Sequence, residues 1–288
     1  MRRFFILIVF IAAVLPITAQ EDARPVENAS TLAEEKPARP DLPTFFIVGD
    51  STVNTVTPGS QSVGWGQRIA PFFDSSKINV VNRAIGGRSS RTFFTEGRWA
   101  RVLADLKQGD FVIIQFGHND VGQVGEGKLR RSSLPGTGPE TAGDPRENTA
   151  PEIVHTFGWY LARFTDEARA RGATVILCSP IPRKNKWQQS RDWPDYATWT
   201  EQVAREHNAH FIDLTMVIAR AYAPLDPPAL EKFFVGSGHT TDTGARFNAA
   251  RVISALKSLP GNPLDQYLSP EGQSIPADIF SAPSAPPR

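Results

Sequence analysis

The stretch Thr44-Phe45-Phe46-Ile47-Val48-Gly49-Asp50-Ser51 decides how the rest of the chain is read. It is a short apolar run, broken by Gly-Asp-Ser, with the length of one strand and no polar alternation. A strand of that kind is buried on both faces. Phe111-Val112-Ile113-Ile114-Gln115-Phe116, ending at Gly117, and Thr174-Val175-Ile176-Leu177-Cys178 repeat the pattern, and Ile78–Val81 and His210–Asp213 complete a set of five. Helical spacing falls between them at Gly64–Phe73, Trp99–Leu106, Pro151–Arg171, Trp193–His207 (with Asp192 as a possible cap) and Gly244–Leu259. Pro151 suits a first helical turn and Gly172 a stop. Apolar strands alternating with helices predict a parallel sheet covered by helices on both faces. Ligands bind such sheets beyond the C-terminal ends of the strands. The polar stretch from about 121 to 150 is predicted as a loop, and loops of that length are usually functional.

Outward from this domain the composition changes. Met1-Arg2-Arg3 precedes an apolar run, Phe4–Leu15, too short for the roughly 20 residues that span a bilayer. With Pro16-Ile17-Thr18-Ala19 it reads as a signal peptide, residues 1–19, so the protein is expected to be secreted or periplasmic, with no membrane association after cleavage. Residues 20–42 lack an apolar period and read as a flexible linker, residues 43–260 as the folded domain, and residues 261–288 as a Pro-rich tail whose end, Ser281–Arg288, is expected to be disordered. Lys plus Arg number 31 against 30 Asp plus Glu. That balance argues against nucleic acid as a partner. The single cysteine, Cys178, excludes an internal disulfide and reads as core, and no metal or cofactor is expected. A monomer is expected.

Four segments at strand ends carry possible chemistry. Gly49-Asp50-Ser51-Thr52-Val53 places a hydroxyl in the ligand crevice, although a serine there also suits a helix cap. Gly86-Gly87-Arg88-Ser89-Ser90-Arg91 lets a backbone N–H approach a ligand, or is a plain turn. Gly117-His118-Asn119-Asp120 offers an amide donor to an oxyanion, or a turn built from Asn and Asp. Gly238-His239-Thr240-Thr241, before the last helix, offers a general base, or a surface histidine. Gly122–Lys128 has the glycine and lysine spacing of a phosphate loop, but Leu129 stands where Ser or Thr must bind magnesium.

Taken in this order, these segments resemble the SGNH (GDSL-type) hydrolase superfamily, most closely its rhamnogalacturonan acetylesterase branch. The resemblance extends over nearly all of residues 44–258. Val154-His155-Thr156-Phe157-Gly158-Trp159-Tyr160 and Cys178-Ser179-Pro180-Ile181-Pro182-Arg183 also carry it. The resemblance implies a flavodoxin-like, three-layer α/β/α fold. It implies a serine esterase in which Ser51 is the nucleophile and His239 the base. The oxyanion hole would be formed by the Ser51 and Gly87 N–H groups and the Asn119 side chain. Its substrate would be acetylated plant cell-wall polysaccharide or oligosaccharide such as pectin. Arg88, Arg91, Arg183 and Lys184 follow strand ends and are candidates to pair with uronate carboxylates, while Trp65, Trp187 and Trp193 are candidates to stack on sugars; solvated arginines and core tryptophans are the other reading. A non-catalytic carbohydrate-binding protein and a sugar O-acetyltransferase are the alternatives.

One departure stands out. The family pattern puts an aspartate three residues before the base histidine, and here that position is Gly236. A backbone carbonyl, or one of Asp226, Glu231 and Asp242, would have to orient the imidazole, or the site would run as a Ser–His dyad.

Overall fold

The computed structural model describes residues 35–127, 130–146, 149–184, 186–187 and 194–278. The expected leader 1–19, most of the expected linker and the terminal stretch Ser281–Arg288 lie outside the described residues. In chain order the elements begin with β1 (Thr44–Gly49), two 3-10 turns (Trp65–Arg68 and Ala70–Phe72), β2 (Asn79–Asn82), α1 (Ser90–Thr95), α2 (Arg98–Asp105) and β3 (Phe111–Gln115). A hairpin of β4 (Thr141–Arg146) and β5 (Thr149–His155) comes next, then α3 (Phe157–Ala170), β6 (Thr174–Cys178), α4 (Pro194–Glu206), β7 (His210–Ile212) and α5 (Leu214–Tyr222). The chain continues with α6 (Pro227–Glu231), β8 (Phe234–Val235), β9 (His239–Thr240), α7 (Asp242–Leu256) and α8 (Pro270–Ser274).

Five strands form one sheet in the order β2-β1-β3-β6-β7, all parallel. This is the flavodoxin-like order, whose direction of winding reverses between β1 and β3 and opens a crevice there. Side chains along each strand alternate between two apolar clusters. Phe45, Ile47, Ile113 and Ile176 join one with α5 and α7, while Phe46, Val48, Val112, Ile114, Val175 and Leu177 join the other with α1 to α4. Every residue of β1 is buried, because both faces of the sheet are covered. The result is the expected three-layer α/β/α arrangement. Cys178 is buried in the first cluster.

The structure departs from the sequence-based expectation in several places. Pro151–His155 is not the first turn of a helix but most of β5. Val154 is buried and Ile153 exposed, a period of two, and the strand pairs antiparallel with β4. The helix starts only after Thr156, whose hydroxyl accepts from the Trp159 amide at 3.1 Å. The segment predicted as a loop therefore holds a strand. Asp144 and Glu152 sit directly opposite in the β4–β5 ladder, a like-charge pair that is unfavourable unless neutralised. Arg91 neutralises it. Fully buried, its guanidinium pairs with both carboxylates and donates to the Ser132 carbonyl at 2.8 Å. Gly64–Phe73 is two 3-10 turns rather than an α-helix. The folded unit also extends past residue 260: Leu264 and Leu268 are in the core, and Leu268 bridges to Phe73.

Candidate active site

Ser51 stands in a turn that is fixed from beneath. Gly49 ends β1 where a Cβ would come within 2.7 Å of the Gln115 carbonyl oxygen and of the Val53 side chain, so only glycine fits. The Asp50 carbonyl accepts the Val53 and Asn54 amides at 3.1 and 3.0 Å. The buried Asp50 carboxylate accepts both the amide and the hydroxyl of Thr52, each at 2.8 Å. Gln115 then donates to the Thr52 hydroxyl at 2.7 Å and accepts from the Trp65 indole at 2.9 Å. Asn82 holds the far side of the turn through the Val53 carbonyl at 2.9 Å. Burial pushes the Asp50 carboxyl up, but the His118 charge and the hydrogen bonds from His118 and Thr52 outweigh it, leaving the group below its ordinary value.

The structure brings Ser51 and His239 together across 188 residues. His239 Nε2 lies 2.9 Å from Ser51 Oγ. His239 comes from a small hairpin: β8 and β9 pair antiparallel, with Val235 opposite His239. The neighbouring Thr240 is latched to Val63 in both directions, each bond 2.8 Å, and Lys184 N–H donates to the Ser237 carbonyl at 3.0 Å. His239 is exposed and Ser51 half-buried, so the pair is open to a large substrate.

Gly86 packs beside the serine; a Cβ on it would be 3.7 Å from Ser51 Cβ. Gly87 follows with φ of 77°, a left-handed conformation that favours glycine. Among the described residues neither the Ser51 nor the Gly87 N–H has a hydrogen-bond acceptor. Asn119 Nδ2 donates to the Arg88 carbonyl at 2.9 Å, which fixes the amide and leaves its second hydrogen for another acceptor. The segment after Gly87 is held by a capping box between Ser89 and Thr92. It is held also by Asp120, which accepts from the Ser90 amide and hydroxyl and from the Ser133 hydroxyl. Burial pushes the Asp120 carboxyl up to about 6 against those hydrogen bonds.

Other expected site residues are placed differently. Arg91 is sealed beneath the β4–β5 hairpin, where no ligand reaches, because it neutralises Asp144 and Glu152. Arg88 is largely buried and turned onto Glu96 at 3.0 Å. Arg183 is half-buried in the loop that faces the β8–β9 turn. Trp65 is fully buried and offers no face to a sugar; Trp187 is partly buried against Tyr222; Trp193 lies outside the described residues. None of the three carboxylates considered for orienting His239 does so. Asp226 caps α6 through the Ala229 amide, Glu231 pairs with Lys184, and Asp242 pairs with Arg68. Gly236 has φ of 65° with nothing within 4 Å of a Cβ. Among the described residues, Ser51 is the hydrogen-bond partner of the His239 ring.

One residue escaped the sequence reading. Arg131, half-buried, reaches the Gly87 carbonyl oxygen through Nη1 at 3.3 Å. Its place is set by Ser132 and Ser133, which are bonded to Val121, Asp120 and Arg91. No local pattern marks it, since it sits in a polar stretch between strands. Among the described residues no group of three or more His, Cys, Asp or Glu side chains is arranged to hold a metal ion.

Comparisons with known proteins place the family and the fold. Residues 47–247 match the GDSL-like Lipase/Acylhydrolase family. A probable rhamnogalacturonan acetylesterase of Bacillus subtilis (strain 168) is 31% identical over 238 residues, 79% of this chain and 98% of that protein. A rhamnogalacturonan acetylesterase of Emericella nidulans is 31% identical over 217 residues, 74% of this chain and 84% of that one. Among solved structures, a crystal structure from Bacillus subtilis shares the fold with a TM-score of 0.61 and 24% identity, covering 75% of this chain. This chain spans 56% of that longer one.

Proposed function

We propose, from the premise that this chain belongs to the GDSL-like lipase/acylhydrolase family, that it is an exported serine esterase that removes acetyl groups from plant cell-wall polysaccharide of the rhamnogalacturonan type. Acetylesterase action on polysaccharide follows from the named relatives. The serine chemistry is supported by one observation above all: His239 Nε2 lies 2.9 Å from Ser51 Oγ, and the Ser51 and Gly87 N–H groups have no acceptor among the described residues.

In this reading Ser51 Oγ attacks the ester carbonyl carbon while its proton passes to His239 Nε2. The carbonyl oxygen becomes an oxyanion, held by the Ser51 and Gly87 N–H groups and the free Asn119 amide hydrogen. The bond to the sugar oxygen breaks, and that oxygen takes the proton from His239. Water then attacks the acetyl-Ser51 ester, giving its proton to His239. Collapse releases acetic acid, and the proton returns to Ser51. The His239 ring carries charge in each transition state with no carboxylate behind it among the described residues. Its orientation rests on the β8–β9 backbone.

Arg131 supports an acidic polymer as substrate. Its guanidinium stands at the Gly87 side of the site with donors to spare, suited to a uronate carboxylate. Export rests on the charged start, short apolar core and small-residue end of residues 1–19. Acetate release from acetylated rhamnogalacturonan oligosaccharides tests the reading. Release that disappears in Ser51→Ala supports it. Polysaccharide binding without acetate release, unchanged in that variant, overturns it, and acetyl transfer to sugar acceptors in excess of hydrolysis makes the protein a transferase instead.

A further inference from the structure

His118 stands between two acceptors. Its Nδ1 lies 3.2 Å from Asp50 Oδ2, and its Nε2 lies 2.9 Å from the Ile181 carbonyl oxygen. A carbonyl only accepts, so Nε2 carries a proton. Turning the ring over would set carbon atoms against both oxygens, so the flipped ring does not account for the contacts. Asp50 is buried, and its other oxygen already accepts two hydrogen bonds from Thr52, which favours the carboxylate over the acid. A carboxylate facing Nδ1 calls for a second ring proton.

We infer that His118 is held as an imidazolium that ties the turn carrying Ser51 to the loop that supports the His239 hairpin. One side of the tie is Asp50, the residue before the serine. The other is Ile181, which opens the loop 181–184, and Lys184 of that loop bonds the turn Gly236-Ser237-Gly238 just before His239. A hydrogen-bonded path thus runs from beside the nucleophile to beside the base. It passes through the very turn where the family's aspartate is replaced by Gly236. His118 acts through Asp50 and the loop, without touching the reacting atoms, and is a positioning residue.

Among the described residues the titratable groups around it come from three other elements and its own turn. Asp50 follows β1 and attracts the charge. Asp120 lies two residues on, buried and bonded to Ser90 and Ser133. Tyr196 of α4 packs over Gly117, its phenol pushed up by burial and therefore neutral. His239 stands beyond Ser51. Burial opposes a charge on His118, and the Asp50 carboxylate offsets that.

Two measurements on the full chain test the inference. The first is proton–nitrogen correlation of the histidine rings at pH 7.5, with the His118 signals assigned by their loss in His118→Asn. Both His118 nitrogens should be protonated there, although an ordinary imidazole, with a pKa of about 6.5, is about nine-tenths neutral. A ring with one protonated nitrogen overturns the inference. This arm needs no enzymatic activity, so its result is separable from failure of the esterase reading, on which only the second arm rests. The second is the pH profile of aryl acetate hydrolysis. The wild type should lose kcat on the alkaline side as His118 gives up its proton. His118→Asn should lower kcat by about 10- to 100-fold, as expected of a misplaced reacting pair, with little change in KM, and should lack that alkaline limb. A folded variant that keeps both kcat and the limb overturns the tie. If the variant does not fold, His118→Gln provides the assignment and the profile, since it keeps the donor to Ile181.

Discussion

His239 Nε2 and Ser51 Oγ are 2.9 Å apart, and no carboxylate among the described residues stands behind the imidazole. The serine turn is fixed by Asp50, Asn82 and Gln115, and the imidazole by a two-residue ladder and the Val63 latch. Each half of the pair thus has its own local support, and the path through His118 and the loop 181–184 connects the two.

Ser51→Ala and His239→Ala should each lower kcat by about 10³-fold or more, and the double variant should lose little beyond either single one. Residues that act as a unit are non-additive in this way. Steady-state hydrolysis of an aryl acetate by the three variants is the measurement; losses that multiply would show that the two side chains do not act together.

Asp226→Asn, Glu231→Gln and Asp242→Asn should each leave kcat within about threefold, whereas loss of an orienting aspartate in a serine triad costs about 10⁴-fold. Their carboxylates are engaged with Ala229, Lys184 and Arg68 rather than with His239. A loss of several hundredfold in any one of them would identify it as the missing third member.

Arg131→Ala should raise KM about tenfold or more for acetylated oligosaccharides that carry uronate. A hydrogen bond to a charged group is worth about 1.5–3 kcal/mol, which sets that scale. KM for a neutral aryl acetate should stay within about twofold. Equal effects on both substrates would place Arg131 in support of Gly87 instead of at the polymer.

Asp144→Ala should destabilise the protein by about 3–5 kcal/mol, because it leaves the buried Arg91 short of a partner and removes the Arg130 contact as well. Glu152 still faces Arg91 at 2.9 Å, which argues for the lower end of that range. Denaturant unfolding reads the loss. Limited proteolysis should also cut first between residues 121 and 150, since this network fastens the β4–β5 hairpin to α1.

Asp120 makes stability depend on pH in a stated direction. Its carboxyl is raised from 3.8 to about 6 by burial, so its contribution is fully present below about pH 3.8 and is lost as pH rises through about 6. Asp120→Asn does not titrate. Its unfolding free energy should therefore gain on the wild type's between pH 4 and pH 7. Parallel stability curves for the two proteins over that interval would contradict the assignment.

Local sequence determined the five strands of the main sheet, most of the covering helices but not α5, and the ends at which chemistry had to sit. Apolar runs such as Phe45–Val48 and Val112–Ile114 bury themselves on both faces whatever lies far away in the chain, and that is enough to call for a parallel sheet under two helical layers. Ser51, Gly87, Asn119 and His239 were legible as groups at strand ends or before the last helix. The meeting of Ser51 and His239 was an inference from family resemblance until the fold closed the 188-residue gap. The strand at Thr149–His155 left no alternation in the sequence, because Ile153 and Val154 are adjacent and both apolar, and only pairing with β4 decided that one is buried and the other exposed. Tertiary structure alone decided that Arg91 is buried while Arg131 reaches the site. A guanidinium goes wherever unpaired carboxylates await it, and Asp144 and Glu152 become a pair only when β4 meets β5. It alone decided, too, what stands behind His239, since the support of an imidazole is a matter of distances between remote segments and leaves no periodic trace in the chain.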